Sequence, residues 1–323
     1  MAGVFALAAV FLWLNRGDIR PAWNDVLGAR PGWIVLAIAL TFAFMVNLGA
    51  LHYAAQRATA AGPHLGRILL TAAGAHALNQ LTKSGGMSGL ALFRSDARRH
   101  GRPVGAVTAA YLLVTVLSEV GFAVALVSAL VVVWIDGRIT GSELAATAGF
   151  ALLIGLHIGL LVLGTRDRDR MRRISALPAR AWARMTRRAP RTNTSSIDEL
   201  YDALHLLRRQ RGAIIPAVAL ALAGEAIGIA LLWSCLRAVG VHAGVSTPFV
   251  GYAVSVLFAI VGFLPGGLGF VEVSLGAVLV SFGLRGSTAA AVVVLYRVFE
   301  LWLPLVIGGA AAHVVRRERT VTT

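Results

Sequence analysis

Apolar runs long enough to cross a bilayer follow one another through most of this 323-residue chain. That pattern constrains the fold more than any single motif does. Lipid offers no hydrogen bonds, so a crossing segment must satisfy its own backbone as a helix, or do so in a closed barrel. Some 17 to 25 predominantly apolar residues are enough for a helix. Runs of this kind lie near Gly32–Ala55, Arg67–Thr82, Val104–Ile135, Leu144–Gly164, Ala213–Leu236, Thr247–Leu264 and Ser287–Val314. Met1–Leu14 is a shorter first piece without the positive flank or small-residue cleavage pattern of a signal peptide, and is read as a span. With only 14% charged residues and a mean hydropathy of +0.75, the expected fold is an all-α polytopic membrane protein of about eight transmembrane helices.

One stretch breaks the helical rule. Phe263-Leu-Pro-Gly-Gly-Leu-Gly-Phe-Val-Glu272 sets Pro265, Gly266, Gly267, Gly269 and the carboxylate of Glu272 inside bilayer-grade sequence. Irregular backbone at membrane depth is tolerated only beside protein or a watery cavity. An ionisable group there is a functional-site hypothesis. A second break, Lys83-Ser-Gly-Gly-Met-Ser-Gly89, lies far upstream. Gly85 and Gly86 stand 181 positions before Gly266 and Gly267, and Glu119 stands the same distance before Glu300. The sequence therefore reads as two structural repeats with glycine-broken or re-entrant segments, near 66–135 and 247–314, around a basic loop at 165–212. Paired glycine-interrupted segments in two halves point to a transporter's binding site.

The net charge is +15, and 29 of the 30 basic residues are arginine. They concentrate between the spans, most densely in 165–212, which predicts a cytoplasmic loop drawn to anionic lipid. No aromatic-basic module accompanies them, so nucleic acid is not an expected partner. Counting spans puts the basic loop Arg94–Arg102 on the same side. The basic tail Arg316–Arg319 joins them if 266–283 crosses fully, and charge favours that crossing. Within the large loop, Ser196-Ile-Asp-Glu199 reads as a capping box opening an amphipathic helix with Leu200, Leu204 and Leu207 on one face.

Every aspartate is read as lying in a loop or at a span edge, and the intramembrane carboxylates are Glu119, Glu225, Glu272 and Glu300. That division argues against an intramembrane transferase, which would need clustered aspartates to hold magnesium at a diphosphate. A single cysteine, Cys235, excludes an intramolecular disulfide and a thiolate cluster. No metal or cofactor is expected. Arg297 and Glu300, three apart, share a helical face and can pair, and arginine's planar fork suits a phosphate. Lys83, the only lysine, sits where a helix end and a cation could bind an anion. Glu225 has no arginine within a turn and reads as protonated or facing a cavity.

These residues resemble a known family. Pro265-Gly-Gly-Leu-Gly269, Glu272, Tyr296-Arg297 and Trp302-Leu-Pro304 ending in Gly308 resemble the lysylphosphatidylglycerol synthase transmembrane family. Asn79-Gln-Leu-Thr-Lys-Ser-Gly-Gly86 is similar to its first conserved block, with Lys83-Ser84 replacing the usual second proline-glycine. The resemblance implies a bacterial inner-membrane protein that moves a phospholipid or lipid-linked substrate between leaflets. Its polar lining would include Lys83, Gly85, Gly86, Glu119, Glu225, Pro265, Gly266, Gly267, Gly269, Glu272, Tyr296, Arg297 and Glu300. Two-part members carry a soluble aminoacyl-transferase domain after this region. With the sequence ending at Thr323, synthase activity is expected to be absent. The alternative reading is a non-transporting scaffold for envelope-lipid enzymes, acting through the arginine-rich loop.

Overall fold

The computed structural model describes residues 16–62, 64–135, 211–262 and 264–317. The predicted span Leu144–Gly164, the first piece Met1–Leu14, most of the loop 165–212 and its amphipathic helix lie outside the described residues. What is described is helical, with no strand among these residues. The helices are α1 (Arg16–Leu27), α2 (Pro31–Ala58), α3 (Leu65–Thr82), α4 (Met87–Arg99) and α5 (Val104–Ile135), then α6 (Ile215–Ala238), α7 (Ser246–Val261), α8 (Phe270–Ser281), α9 (Gly286–Arg297) and α10 (Leu303–Arg317). A π-helical turn over Val298–Trp302 joins the last two into one rod.

Four of these elements are long and apolar enough to cross a membrane: α2, α5, α6 with its preceding turn, and the α9–α10 rod. The remaining apolar helices are shorter and form two hairpins. Helices α3 and α4, of 18 and 13 residues, pack together on either side of Lys83–Gly86. Helices α7 and α8, of 16 and 12 residues, pack together on either side of Gly262–Gly269. At 1.5 Å per residue the arms reach about 18 to 27 Å, less than the ~30 Å hydrocarbon core. Arg67–Thr82 and Thr247–Leu264, expected as separate crossings, are thus arms of hairpins in the structure, and 266–283, which the sequence left between a crossing and a re-entrant segment, supplies the second arm of one. A helix that stops at a glycine break must turn back, because lipid cannot satisfy the exposed ends.

The two hairpins enter from opposite ends of the bundle. At one end, Ala58, Ile68, Ala97, Ala106, Ala213 and Val315 share an apolar cluster, and Arg99 Nη1 donates to the Val315 carbonyl at 3.2 Å. There α2 and α10 finish, α5 and α6 begin, and the first hairpin opens. At the other end, Ala37, Leu236, Ala238, Leu279 and Ala289 cluster, and the Arg30 N–H donates to Ala238 O at 2.8 Å. The second hairpin opens there, beside the start of α9. Because both arms of that hairpin begin and end at one face, α10 itself finishes at the end where α6 started.

Close helix approach holds the frame. A Cβ on Gly74 would lie 3.0 Å from Ala312 Cα, so α3 and α10 meet almost backbone to backbone, as small-residue interfaces in membranes allow. Pro304 cannot donate an N–H and would clash in a regular helix. The chain answers with the π turn, and Thr41 Oγ1 stands 3.0 Å from the Phe299 carbonyl and from the Ala37 carbonyl of its own helix, sharing its proton between them.

The Arg94–Arg102 segment is not a loop but the last half of α4 and the turn after it, with Asp96 in the final turn of the helix. Its carboxylate is fully buried, accepts from Arg67 Nε at 2.7 Å and pairs with Arg102. Arg102 Nη1 also donates to Gln56 Oε1 at 2.8 Å. Asp96 therefore pins α4 to the starts of α3 and α5. Removing one partner of a buried pair leaves the other charge uncompensated. Asp96→Ala should lower stability by about 3 kcal/mol or more, read as a depressed unfolding midpoint in detergent. An unchanged midpoint would show that the arginines find other partners.

Candidate functional site

The site is built where the two tips meet. The last turn of α3 packs against Pro265–Gly267, and Lys83 Nζ donates to the Ala259 carbonyl at the end of α7. Both breaks depend on left-handed backbone. Gly266 has φ +61° and Gly267 φ +66°, conformations glycine adopts freely. A Cβ on Gly266 would also press on the Leu301 side chain at 2.8 Å. In the first tip Lys83 itself has φ +45°, followed by Gly85 and Gly86 at +59° and +85°.

Arg297, the last residue of α9, organises the second tip. Its Nε donates to Glu272 Oε1 at 2.8 Å, its Nη1 to Glu300 Oε2 at 2.8 Å, and its Nη2 to the Gly266 carbonyl at 2.6 Å. The expected pairing with Glu300 is present, and Glu272 adds a second partner that helical spacing alone did not provide. Glu272 Oε2 reaches back to accept from the Gly269 N–H at 2.6 Å, half of a capping box that starts α8. The arginine side chain is only 4% exposed, while the two carboxylates are 20% and 26% exposed. Lys83 lies close enough for its charge to act on Arg297. Two basic and two acidic side chains thus gather where the tips meet.

Glu225, read as having no arginine within a turn, finds a tyrosine instead. Tyr252 on α7 donates its hydroxyl to Glu225 Oε2 at 2.9 Å. Tyr252 lies within electrostatic reach of Tyr296 and Glu300 as well, so a buried polar path leads from the Arg297 cluster to α6. Glu119 is half-buried on α5, two residues before Gly121, whose position faces Ala221 and Glu225. His76 packs edge-on to Phe44, with ring centroids 5.6 Å apart. Among the described residues no group of His, Cys, Asp and Glu is placed to hold a metal.

Sequence reasoning missed Tyr111. Its hydroxyl donates to Gly86 O at 2.8 Å and accepts from Asn79 Nδ2 at 2.9 Å, while Asn79 Oδ1 accepts from the Gly89 N–H at 2.8 Å. Tyr111 holds the first broken tip much as Arg297 holds the second. Each side chain comes from the long helix that follows its hairpin and donates to a carbonyl of the glycine pair. An aromatic residue in an apolar run carries no signal of this in sequence.

The backbone geometry makes one substitution diagnostic. Gly266→Ala places a Cβ in left-handed backbone against Leu301, and should cost about 1 to 3 kcal/mol. Thermal unfolding in detergent should show this loss, whereas Gly276→Ala, where a Cβ meets open space, should be nearly neutral. Equal behaviour of the two would contradict the assigned strain.

Compared with models of protein families, residues 1–308 match that of the lysylphosphatidylglycerol synthase TM region. No curated protein matches the chain.

Proposed function

The chain belongs to the lysylphosphatidylglycerol synthase transmembrane family, making it a multi-pass membrane protein of lipid metabolism or transport, and on that premise we propose that it translocates an anionic phospholipid or lipid-linked intermediate across the bacterial inner membrane. The observation that carries this reading is the meeting of two opposed hairpin tips around Lys83, Arg297, Glu272 and Glu300. Half-helices whose ends converge at the bilayer midplane are how membrane transporters build substrate sites.

The chemistry follows from the charge balance. A phosphodiester brings one negative charge into a cluster that is already neutral. Its phosphate takes the place of a carboxylate on Arg297, whose planar fork offers two parallel donors to an oxyanion. The displaced glutamate keeps a polar environment because both carboxylates are part-exposed. Re-forming the Arg297–glutamate pair then expels the phosphate, so the ion pair that holds the tip closed is also the release device. The acyl chains stay in lipid throughout, and only the headgroup crosses between the tips. The clustering of Arg57, Arg67, Arg98, Arg99, Arg102 and Arg317 at one end supports that end, with the 165–212 loop and the C-terminal tail, as cytoplasmic.

No enzymatic step is part of this reading. Reconstituted protein should move fluorescently labelled phosphatidylglycerol between leaflets, followed by quenching of the outer leaflet, and Arg297→Ala should slow it at least tenfold. Deleting 168–191 should leave transport in liposomes intact. An Arg297→Ala variant as fast as the parent would remove the assigned role of the arginine. Failure to move any lipid tested would overturn translocation in favour of a scaffold.

A further inference from the structure

We propose that Glu225 is a proton-binding site, and that the second hairpin closes against α6 only with that proton in place. The proposal rests on the translocation reading only for what the closure serves. Its own basis is a slot built around one carboxylate near the middle of α6. A Cβ on Gly121 of α5 would lie 3.3 Å from Glu225 Cγ, so the absence of a side chain there makes room for the acid. A Cβ on Gly228, three residues after Glu225, would lie 2.8 Å from the Tyr252 hydroxyl oxygen. The Tyr252 side chain therefore rests on uncovered α6 backbone, and its hydroxyl reaches Glu225 Oε2 at 2.9 Å.

The elements packed against α6 bring no base to this slot. Helix α2 offers Asn47, whose amide donates to the Leu220 carbonyl at 2.9 Å, while its His52 stacks on Phe93 with ring centroids 4.5 Å apart. Helix α5 carries Glu119, a second acid. From α7 comes Tyr252, and from α9 and the π turn come Tyr296, Arg297 and Glu300. Arg297 has already given Nε, Nη1 and Nη2 to Glu272, Glu300 and the Gly266 carbonyl, and Lys83 donates to Ala259 O. Arg237 of α6 itself is about three turns away, over the Trp233 ring. Among the described residues, Glu225 thus has a hydroxyl donor and no counter-charge.

An ionised carboxylate without a partner is costly inside a membrane protein, and such a group takes up a proton instead. Oε2 accepts from Tyr252, which leaves Oε1 to carry that proton. A glutamine would fill the same slot and accept the same bond. What a glutamate adds is a proton that can leave. Leaving requires water, and water reaches the carboxylate when Tyr252 and α7 draw back from α6. The proton then passes to that water, and the carboxylate takes one back before the slot closes. Closure and proton binding are therefore linked reciprocally: closing binds a proton, and raising the pH holds the slot open. Helix α7 is the first arm of the hairpin whose tip carries Gly266, so the same proton governs when the tips meet.

Infrared difference spectroscopy on the purified full-length protein in nanodiscs reads the proton directly. At neutral pH, subtracting the Glu225→Gln spectrum from that of the parent should leave the C=O stretch of a protonated carboxyl group. Tyr252→Phe should move that band to higher frequency by removing its donor. Closure is read from the distance between spin labels on Leu222→Cys of α6 and Ile260→Cys of α7, both exposed positions, in a Cys235→Ser background. Raising the pH should populate a longer distance in the parent and leave the Glu225→Gln distance unchanged. In liposomes, movement of labelled phosphatidylglycerol should slow as pH rises, by up to about tenfold per unit, the limit for one required proton. Glu225→Gln should lose that dependence. A carboxylate band in place of the carboxyl band overturns the proton site, as does a parent distance insensitive to pH or a pH dependence that survives in Glu225→Gln. A carboxyl band and a pH-dependent distance without movement of any lipid uphold the site and overturn translocation.

Discussion

The guanidinium of Arg297 is the interaction on which the rest of this architecture depends. In one buried group it ties the broken backbone at Gly266, the first turn of α8 through Glu272, and its own helix through Glu300. Without it, the buried Gly266 carbonyl in non-helical chain would lose its donor, which costs kilocalories, and two part-exposed carboxylates would lose their shared counter-charge. With it, a chain interrupted by proline and glycines can end a helix halfway through the membrane. The same bond set then serves chemistry, because a group that binds carboxylates through a planar fork binds phosphate equally well.

Around that anchor the halves of the molecule are arranged in opposite senses. Among the described residues, α2, the α3–α4 hairpin and α5 are followed by α6, the α7–α8 hairpin and the α9–α10 rod, and the hairpins open at opposite ends. Such an arrangement brings two broken tips to one depth without either leaving its backbone in lipid. Lys83 on Ala259 O ties one tip to the other. Far from the tips, Asp96 between Arg67 and Arg102, and the tight Gly74–Ala312 contact, keep the frame rigid while the middle is polar.

Much of this was legible from the residues. Apolar length identified α2, α5, α6 and the final rod, and equal spacing of glycine pairs marked both tips. Helical geometry placed Arg297 beside Glu300. What sequence could not give were distances across the chain. Glu272 meets Arg297 over 25 positions, Tyr252 meets Glu225 over 27, and Tyr111 reaches Gly86 over 25. Hydropathy also counts an apolar residue alike in a full crossing and in a half-length arm, so α3 and α7 read as spans and α8 read equally as a crossing or a re-entrant arm. Asp96 looked peripheral because charged residues crowd α4, yet its helix turns that one carboxylate inward between two arginines. The π turn was hidden for a related reason: Pro304 announces a disturbance, but only packing against Thr41 shows how it is absorbed.

The central claim is that the two hairpins enter from opposite faces and meet in between. It is tested most directly by labelling single cysteines with a membrane-impermeant thiol reagent, in a Cys235→Ser background, from each side of the membrane. Arg98→Cys, at the open end of the first hairpin, and Ser281→Cys, at the open end of the second, are both exposed positions. The account predicts that the two are labelled from opposite faces. Labelling of both from the same face would contradict it.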